Sequence, residues 1–196
     1  MTQGKINNSE NGLCNGGKQT FTISAFSENH IGLLNRITII FTRRQVNIDS
    51  LTVSGSAIPG IHKFTIVVNE CREKVEQVVA QIEKLVEVLR AFYHNDDEVI
   101  AQEIALYKVP TKSMIEGNKV EDIIRKHHAR ILEVKPEYTV IELTGHKDET
   151  QALFDELFNY GLLQFTRSGR IAVTRASKEV FTNYMKDAGK NSVEYA

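Results

Sequence analysis

Between Phe26 and Phe41 the chain reads FSENHIGLLNRITIIF. Strand-like alternation ends there, helical spacing begins, and Glu28, Asn29, His30 and Gly32 lie at the junction. A strand that runs into a helix leaves free N–H groups at the helix N-terminus. Those groups and the helix dipole attract a carboxylate. Gly32 removes the side chain that would block close approach. Asn29 both donates and accepts hydrogen bonds, which suits the ammonium and the carboxylate of an amino acid alike. Spacing alone favours a plainer reading, in which Asn29 or Ser27 merely caps the helix.

No other set of residues predicts catalysis or metal binding. There is no phosphate-cradling Walker loop and no GxGxxG after a strand. The serines lack a nucleophile-elbow context. His127 and His128 are adjacent, so one helix face cannot present both rings, and His127 shares the apolar phase of Ile123 and Ile124. His30, His62, His94 and His146 are scattered. Cys71 reads as packing at a helix start. Arg43 and Arg44 read as a solvated helix end. Arg167, Arg170 and Arg175 surround Ser168–Gly169, either as a solvated hairpin or as an anion or partner contact. The expected catalytic set is therefore empty, and so is the metal set.

The elements that must position the junction are legible from periodicity. Phe21, Ile23 and Ala25 alternate as in a strand, and Leu33, Leu34, Ile37, Ile40 and Phe41 mark a helix over 33–44. Residues 46–56 predict a second strand whose apolar phase slips between Ile48 and Leu51, as at a bulge. Phe64, Ile66 and Val68 mark a third strand, and Val75, Val78, Val79 and Ile82 a second helix. VEVLRAFY supplies a fourth strand. The order βαββαβ then recurs. EIALYKV is a strand, Val120, Ile123, Ile124 and His127 line a helix, and RILEVKPEYTVIELTG is two strands joined at Pro136–Glu137. Leu153, Phe154, Leu157 and Phe158 face one way on a helix that Gly161 ends. LLQFTRSGRIAVTR closes the order. The fold class is α+β, with tandem βαββαβ ferredoxin-like units at 20–96 and 97–176 joined at HNDDE. Each has an antiparallel sheet with its helices on one face. Residues 1–19 and 177–196 read as flexible tails.

Composition bounds the function. The 196 residues are 41% hydrophobic and 25% charged, enough for two small cores. A net charge of −1 argues against a protein built mainly on nucleic acid. The third strand offers Phe64 but no basic, aromatic-rich RNA-binding pattern. No apolar run reaches a membrane span, and no signal core begins the chain. The two cysteines are expected to stay unpaired in a reducing cytoplasm.

The segment ENHIGLLNRITIIFTRRQVNIDSLTVS resembles the ACT domain of the acetolactate synthase small (regulatory) subunit. Glu28-Asn29, Gly32, Leu34, Arg36, Phe41 and NIDSLTV carry the resemblance. It continues through KLVEVLRA and EIALYKV into TRSGRIAVTR, so it covers most of residues 20–176 and implies a C-terminal ACT-like regulatory-subunit domain. The resemblance implies a chain without catalysis of its own or cofactors of its own. A large subunit would carry thiamine diphosphate, Mg²⁺ and FAD. It would join two pyruvates, or pyruvate and 2-oxobutyrate, for valine, leucine and isoleucine synthesis. The small subunit would raise that activity and confer feedback inhibition, usually by valine.

ACT domains of this kind pair edge to edge in a homodimer, with the effector at the interface. Carried over, Asn29 and the backbone from His30 through Ile31 and Gly32 to Leu33 would hold the effector's polar head. Asn47 and Ile48 of the facing subunit would complete the pocket, and Ile31, Leu33 and Ile48 would meet its apolar side chain. The large-subunit contact is expected on SGSAIPGIHK, at Ser54, Ser56, Ile58 and His62. One position departs from the pattern: Gln45 stands where glycine is usual, and carries strain if the turn needs a positive φ. The alternative function is a free-standing ACT-domain amino-acid sensor acting on another protein.

Overall fold

The computed structural model describes residues 17–115 and 119–176. The expected terminal tails therefore fall almost wholly outside the described residues. The chain divides into two compact units, one reaching Val99 and resuming at Thr174, the other spanning Ile100–Val173.

In the first unit, β1 (Gln19–Glu28) leads into α1 (Leu33–Arg43), followed by β2 (Ser50–Gly55), β3 (Ile61–Glu70), α2 (Arg72–Ile82) and β4 (Val88–Asn95). The antiparallel sheet runs β2-β3-β1-β4. Its core joins Phe21, Ile23 and Ala25 of β1 to Phe64, Ile66 and Val68 of β3 and to Leu33, Ile37 and Phe41 of α1. Val75, Val78, Val79 and Ile82 of α2 are buried as their spacing requires. Phe64 thus belongs to the core and is not exposed for base stacking. The β2–β3 register is regular over all of β2. The phase slip at Ile48–Leu51 marks the entry to the strand, and the observed irregularity is between Phe26 and Ser27 of β1.

The second unit repeats this order with additions. It contains β5 (Val99–Pro110), a short α3 (Thr111–Ile115), α4 (Lys119–Lys126), β6 (Arg130–Val134), β7 (Tyr138–Gly145), α5 (Lys147–Phe158), β8 (Gln164–Arg167) and β9 (Ile171–Thr174). The sheet order β6-β7-β5-β8 reproduces β2-β3-β1-β4 position by position, and β9 also pairs with β5. The single closing strand expected from sequence is thus two short ones. Tyr107 is fully buried, and its hydroxyl donates to the Thr150 carbonyl at 2.6 Å. Burial pushes its phenol up to about 12. On α5, Leu153 and Leu157 are buried while Phe158 is exposed, so the inward face is narrower than expected.

The same device ends the first long helix of each unit. After α1, Gln45 N–H donates to Thr42 O at 3.1 Å and Val46 N–H to Phe41 O at 3.0 Å. After α4, His128 N–H donates to Arg125 O at 3.2 Å and Ala129 N–H to Ile124 O at 2.9 Å. Both are Schellman closures, which place the intervening residue in the left-handed region. Gln45 has φ 53 and His128 φ 54, where a side chain costs about 1 kcal/mol or more. The strain expected at Gln45 is present. Gln45→Gly and His128→Gly are each expected to stabilise the chain by about 1 kcal/mol, offset partly by glycine's entropy. Urea denaturation checks this; an unchanged or lower midpoint refutes it.

Cys71, fully buried ahead of α2, is disulfide-bonded, which corrects the expectation of unpaired cysteines; its partner lies outside the described residues. No helix among the described residues is long and apolar enough to cross a membrane.

Candidate functional site

The strand irregularity at Phe26/Ser27 lies immediately ahead of the junction loop, where a bulge re-aims the chain. Two neighbouring loops then hold it. Glu28 N–H donates to Glu87 O at 2.9 Å, and Asn29 N–H donates to Gly60 O at 3.2 Å. The chain turns through Asn29, His30 and Ile31, all exposed, to Gly32, the residue that precedes α1.

Neither Asn29 nor Ser27 caps the helix. The N-cap is Gly32, at φ 83 and ψ −4, and no side chain bonds to the first turn. The Ser27 hydroxyl is buried without a partner. Leu33 N–H donates to His30 O at 3.3 Å and Arg36 N–H to Gly32 O at 3.1 Å. The N–H groups of Leu34 and Asn35 find no acceptor among the described residues. These are the two donors a capping side chain would ordinarily take. The first turn carries no acidic residue to oppose an anion. A Cβ built on Gly32 meets nothing within 4 Å, so the space above the helix start is open.

Sequence reasoning located this loop but misplaced part of it. Leu33 is only 2% exposed and packs into the core, so its side chain is withdrawn from any ligand, and its N–H is already taken. Leu34 and Asn35 supply the open donors instead; the missing signal was the position of the N-cap, which sets which N–H groups are orphaned. Ile31 is fully exposed, and Leu34 is 46% exposed, an apolar rim beside polar donors. Asn47 and Ile48 lie in the segment between α1 and β2. Asn47 is exposed with its Nδ2 3.4 Å from Asp49 Oδ1, and Ile48 packs partly against the core. No hydrogen bond among the described residues ties either to the loop at 29–33.

The expected partner segment is a tight strand connection beside this loop. Ser54 is in β2, and Ser56 Oγ accepts from Ile58 N–H at 3.1 Å and donates to Ile58 O at 3.2 Å. Gly60, at φ 80, presents the carbonyl that Asn29 holds, and His62, the second residue of β3, lies opposite Ser27. The arginines near the end of the chain do not form one patch. Arg167 is mostly buried, 3.7 Å from Glu103 and stacked over Phe165, while Arg175 donates to Val99 O. His127 is a largely buried partner of Glu156 at 3.0 Å. Among the described residues no group of three or more His, Cys, Asp or Glu could hold a metal.

A charge pair braces the loop from behind. Arg36 Nη2 lies 2.5 Å from Glu87 Oε1, and this guanidinium holds the Glu87 carboxyl below the usual carboxylate range. A depressed pKa stabilises the fold above the unfolded value, about 4.3, and that support fades as pH falls through the lower folded value. The wild-type urea midpoint should therefore hold steady down to pH about 5 and fall below it. Glu87→Gln should flatten the part of that fall that this pair causes. Identical acid profiles for the two proteins would remove the pair from the account.

The comparisons with known proteins follow the two units. Residues 23–90 match the family model for the AHAS small subunit-like ACT domain, and residues 102–176 match the model for the small subunit of acetolactate synthase. A probable acetolactate synthase small subunit from Methanothermobacter thermautotrophicus is 31% identical over 81% of this chain and 95% of its own length. An acetolactate synthase small subunit from Bacillus subtilis is 32% identical over 77% of this chain and 88% of its own. The crystal structure of a Thermotoga maritima acetolactate synthase small subunit superimposes with a TM-score of 0.74 at 26% identity, covering 82% of this chain and 99% of that one.

Proposed function

Because the chain belongs to the family of acetolactate synthase small subunits, with an ACT domain in its first unit, we propose that it activates a catalytic large subunit and makes it sensitive to feedback inhibition by a branched-chain amino acid, valine foremost. The large subunit would carry thiamine diphosphate, Mg²⁺ and FAD in the cytoplasm, and this chain none of them.

The observation that carries the reading is the uncapped start of α1. It offers the open N–H groups of Leu34 and Asn35, no first-turn acid and a clear approach over Gly32. An effector carboxylate would sit on those donors. Asn29 would bond the polar head, and exposed Ile31 would meet the apolar side chain. A second copy would bring Asn47 and Ile48, making a two-fold site in which binding biases how the copies pair. The connection from Ser54 through Ser56 and Ile58 to His62 is the proposed large-subunit contact. Its supporting feature is the hydrogen bond from Asn29 to Gly60, which joins it directly to the effector loop.

Calorimetric titration of the full chain with valine, leucine and isoleucine tests the reading, followed by acetolactate assays with its large subunit. Binding with inhibition supports it. Absence of both binding and any effect on rate refutes it. Binding without a large-subunit partner would favour a free-standing amino-acid sensor.

A further inference from the structure

The second unit carries a half-open cleft, apart from the loop at 28–32, whose apolar part borders the core. Its volume is about 500 Å³, within the range of small-molecule sites. Lys126, His127 and His128 reach it from the end of α4, and Asp148 and Glu149 from the first turn of α5. Leu143 of β7 and Ala152 of α5 give it an apolar part.

These charged groups are not equivalent. Lys126 Nζ and His127 Nε2 both engage Glu156 Oε1, at 2.6 and 3.0 Å. Glu149 Oε2 accepts from His146 N–H at 2.7 Å, closing the capping box of α5. The side chains of His128 and Asp148 have no hydrogen-bond or ion-pair partner among the described residues. They reach the cavity from different helix ends. His128 also holds φ 54, a conformation glycine would adopt without strain.

A plain anion in this cavity would meet the Asp148 carboxylate, and a plain cation would leave the His128 imidazole unpartnered, because Lys126 and Glu149 are already engaged. A molecule carrying both charges satisfies both ends. We propose that the cavity binds a small zwitterion, an α-amino acid with a short apolar side chain. Its carboxylate would lie toward His128, its ammonium toward Asp148 and its side chain against Leu143 and Ala152. The site lies within the second unit and does not depend on the effector loop of the first.

The test uses the full chain carrying Gly32→Asp, which removes binding at the first unit. L-leucine, L-valine, acetate and propylamine are titrated separately, and backbone amide shifts are followed by NMR. The expected result is saturable shifts at residues 126–128 and 143–149 with an amino acid, and binding of acetate and propylamine about tenfold weaker or less. Asp148→Asn and His128→Gly should each weaken amino-acid binding about tenfold. The first changes an exposed side chain and the second relieves strain, so neither loss would report unfolding. Three results would each overturn the proposal. They are no shifts there up to about 10 mM of either amino acid, acetate binding as well as the amino acids, and unchanged affinity in both variants.

Discussion

Gly32→Asp is expected to abolish inhibition by valine in the holoenzyme while activation of the large subunit persists. The added carboxylate would stand at the N-terminus of α1, over the open Leu34 and Asn35 N–H groups, and would itself occupy or repel the place of the effector's carboxylate. Losing a charge-assisted hydrogen bond and gaining a like charge costs about 2–3 kcal/mol, roughly a 30- to 150-fold loss in valine affinity. The Cβ meets no protein atom within 4 Å, so crowding does not oppose the change. The φ of 83 does, but aspartate tolerates the left-handed region better than most residues. Asn29→Ala should act in the same direction and less strongly, because it removes a side-chain bond and leaves the helix start unchanged. The measurement is acetolactate formation against valine concentration, with activation read at zero valine. Equal loss of activation and inhibition would mean a folding defect or a different site. Unaltered inhibition would take the effector away from this loop.

Phe41→Ala should have the largest effect on stability. Phe41 is 1% exposed and packs among Ile37, Val46 and the sheet residues of the first core. Its carbonyl also accepts the Val46 N–H that closes α1. Truncation leaves a cavity at a helix end that cannot readily collapse, costing about 3–5 kcal/mol. That is a large share of the roughly 5–15 kcal/mol that holds a protein folded. Ile39→Ala on the same helix, at a position 38% exposed, is the matched control and should stay within about 1 kcal/mol. Urea denaturation with amide exchange in β1 and β3 reads both. Similar losses for the two variants would contradict the assigned inward face of α1.

Some of the candidate site was legible because it depends on local chemistry. The change from alternation at Phe21–Ala25 to helical spacing at Leu33–Phe41 placed the strand–helix junction within a residue or two. Gly32 stood out because it has no side chain to block close approach to the helix start, and its φ of 83 adds a backbone reason that only the structure shows. Gln45 stood out against the pattern, and its positive φ follows from the closure of α1. Which side chain would cap α1 was not legible. That depends on where the backbone leaves β1, and the irregularity at Phe26/Ser27 and the bonds to Glu87 and Gly60 decide it. Leu33 was assigned to the ligand and serves the core, because one residue of helix phase separates the two fates.

By itself the sequence determined the two βαββαβ units, the inward faces of α1 and α2, and the loop at 28–32, since periodicity and residue type act over a few positions. Tertiary structure decided what lies far apart in the chain. It brought Gly60 and Glu87 to the two sides of the loop at 28–32 and left the Leu34 and Asn35 N–H groups open. It also divided the closing strand into β8 and β9 and gathered His128 and Asp148 around one cavity. Hydrogen bonds and contacts between distant segments are fixed by sheet register and helix packing. No short stretch of sequence encodes those alone.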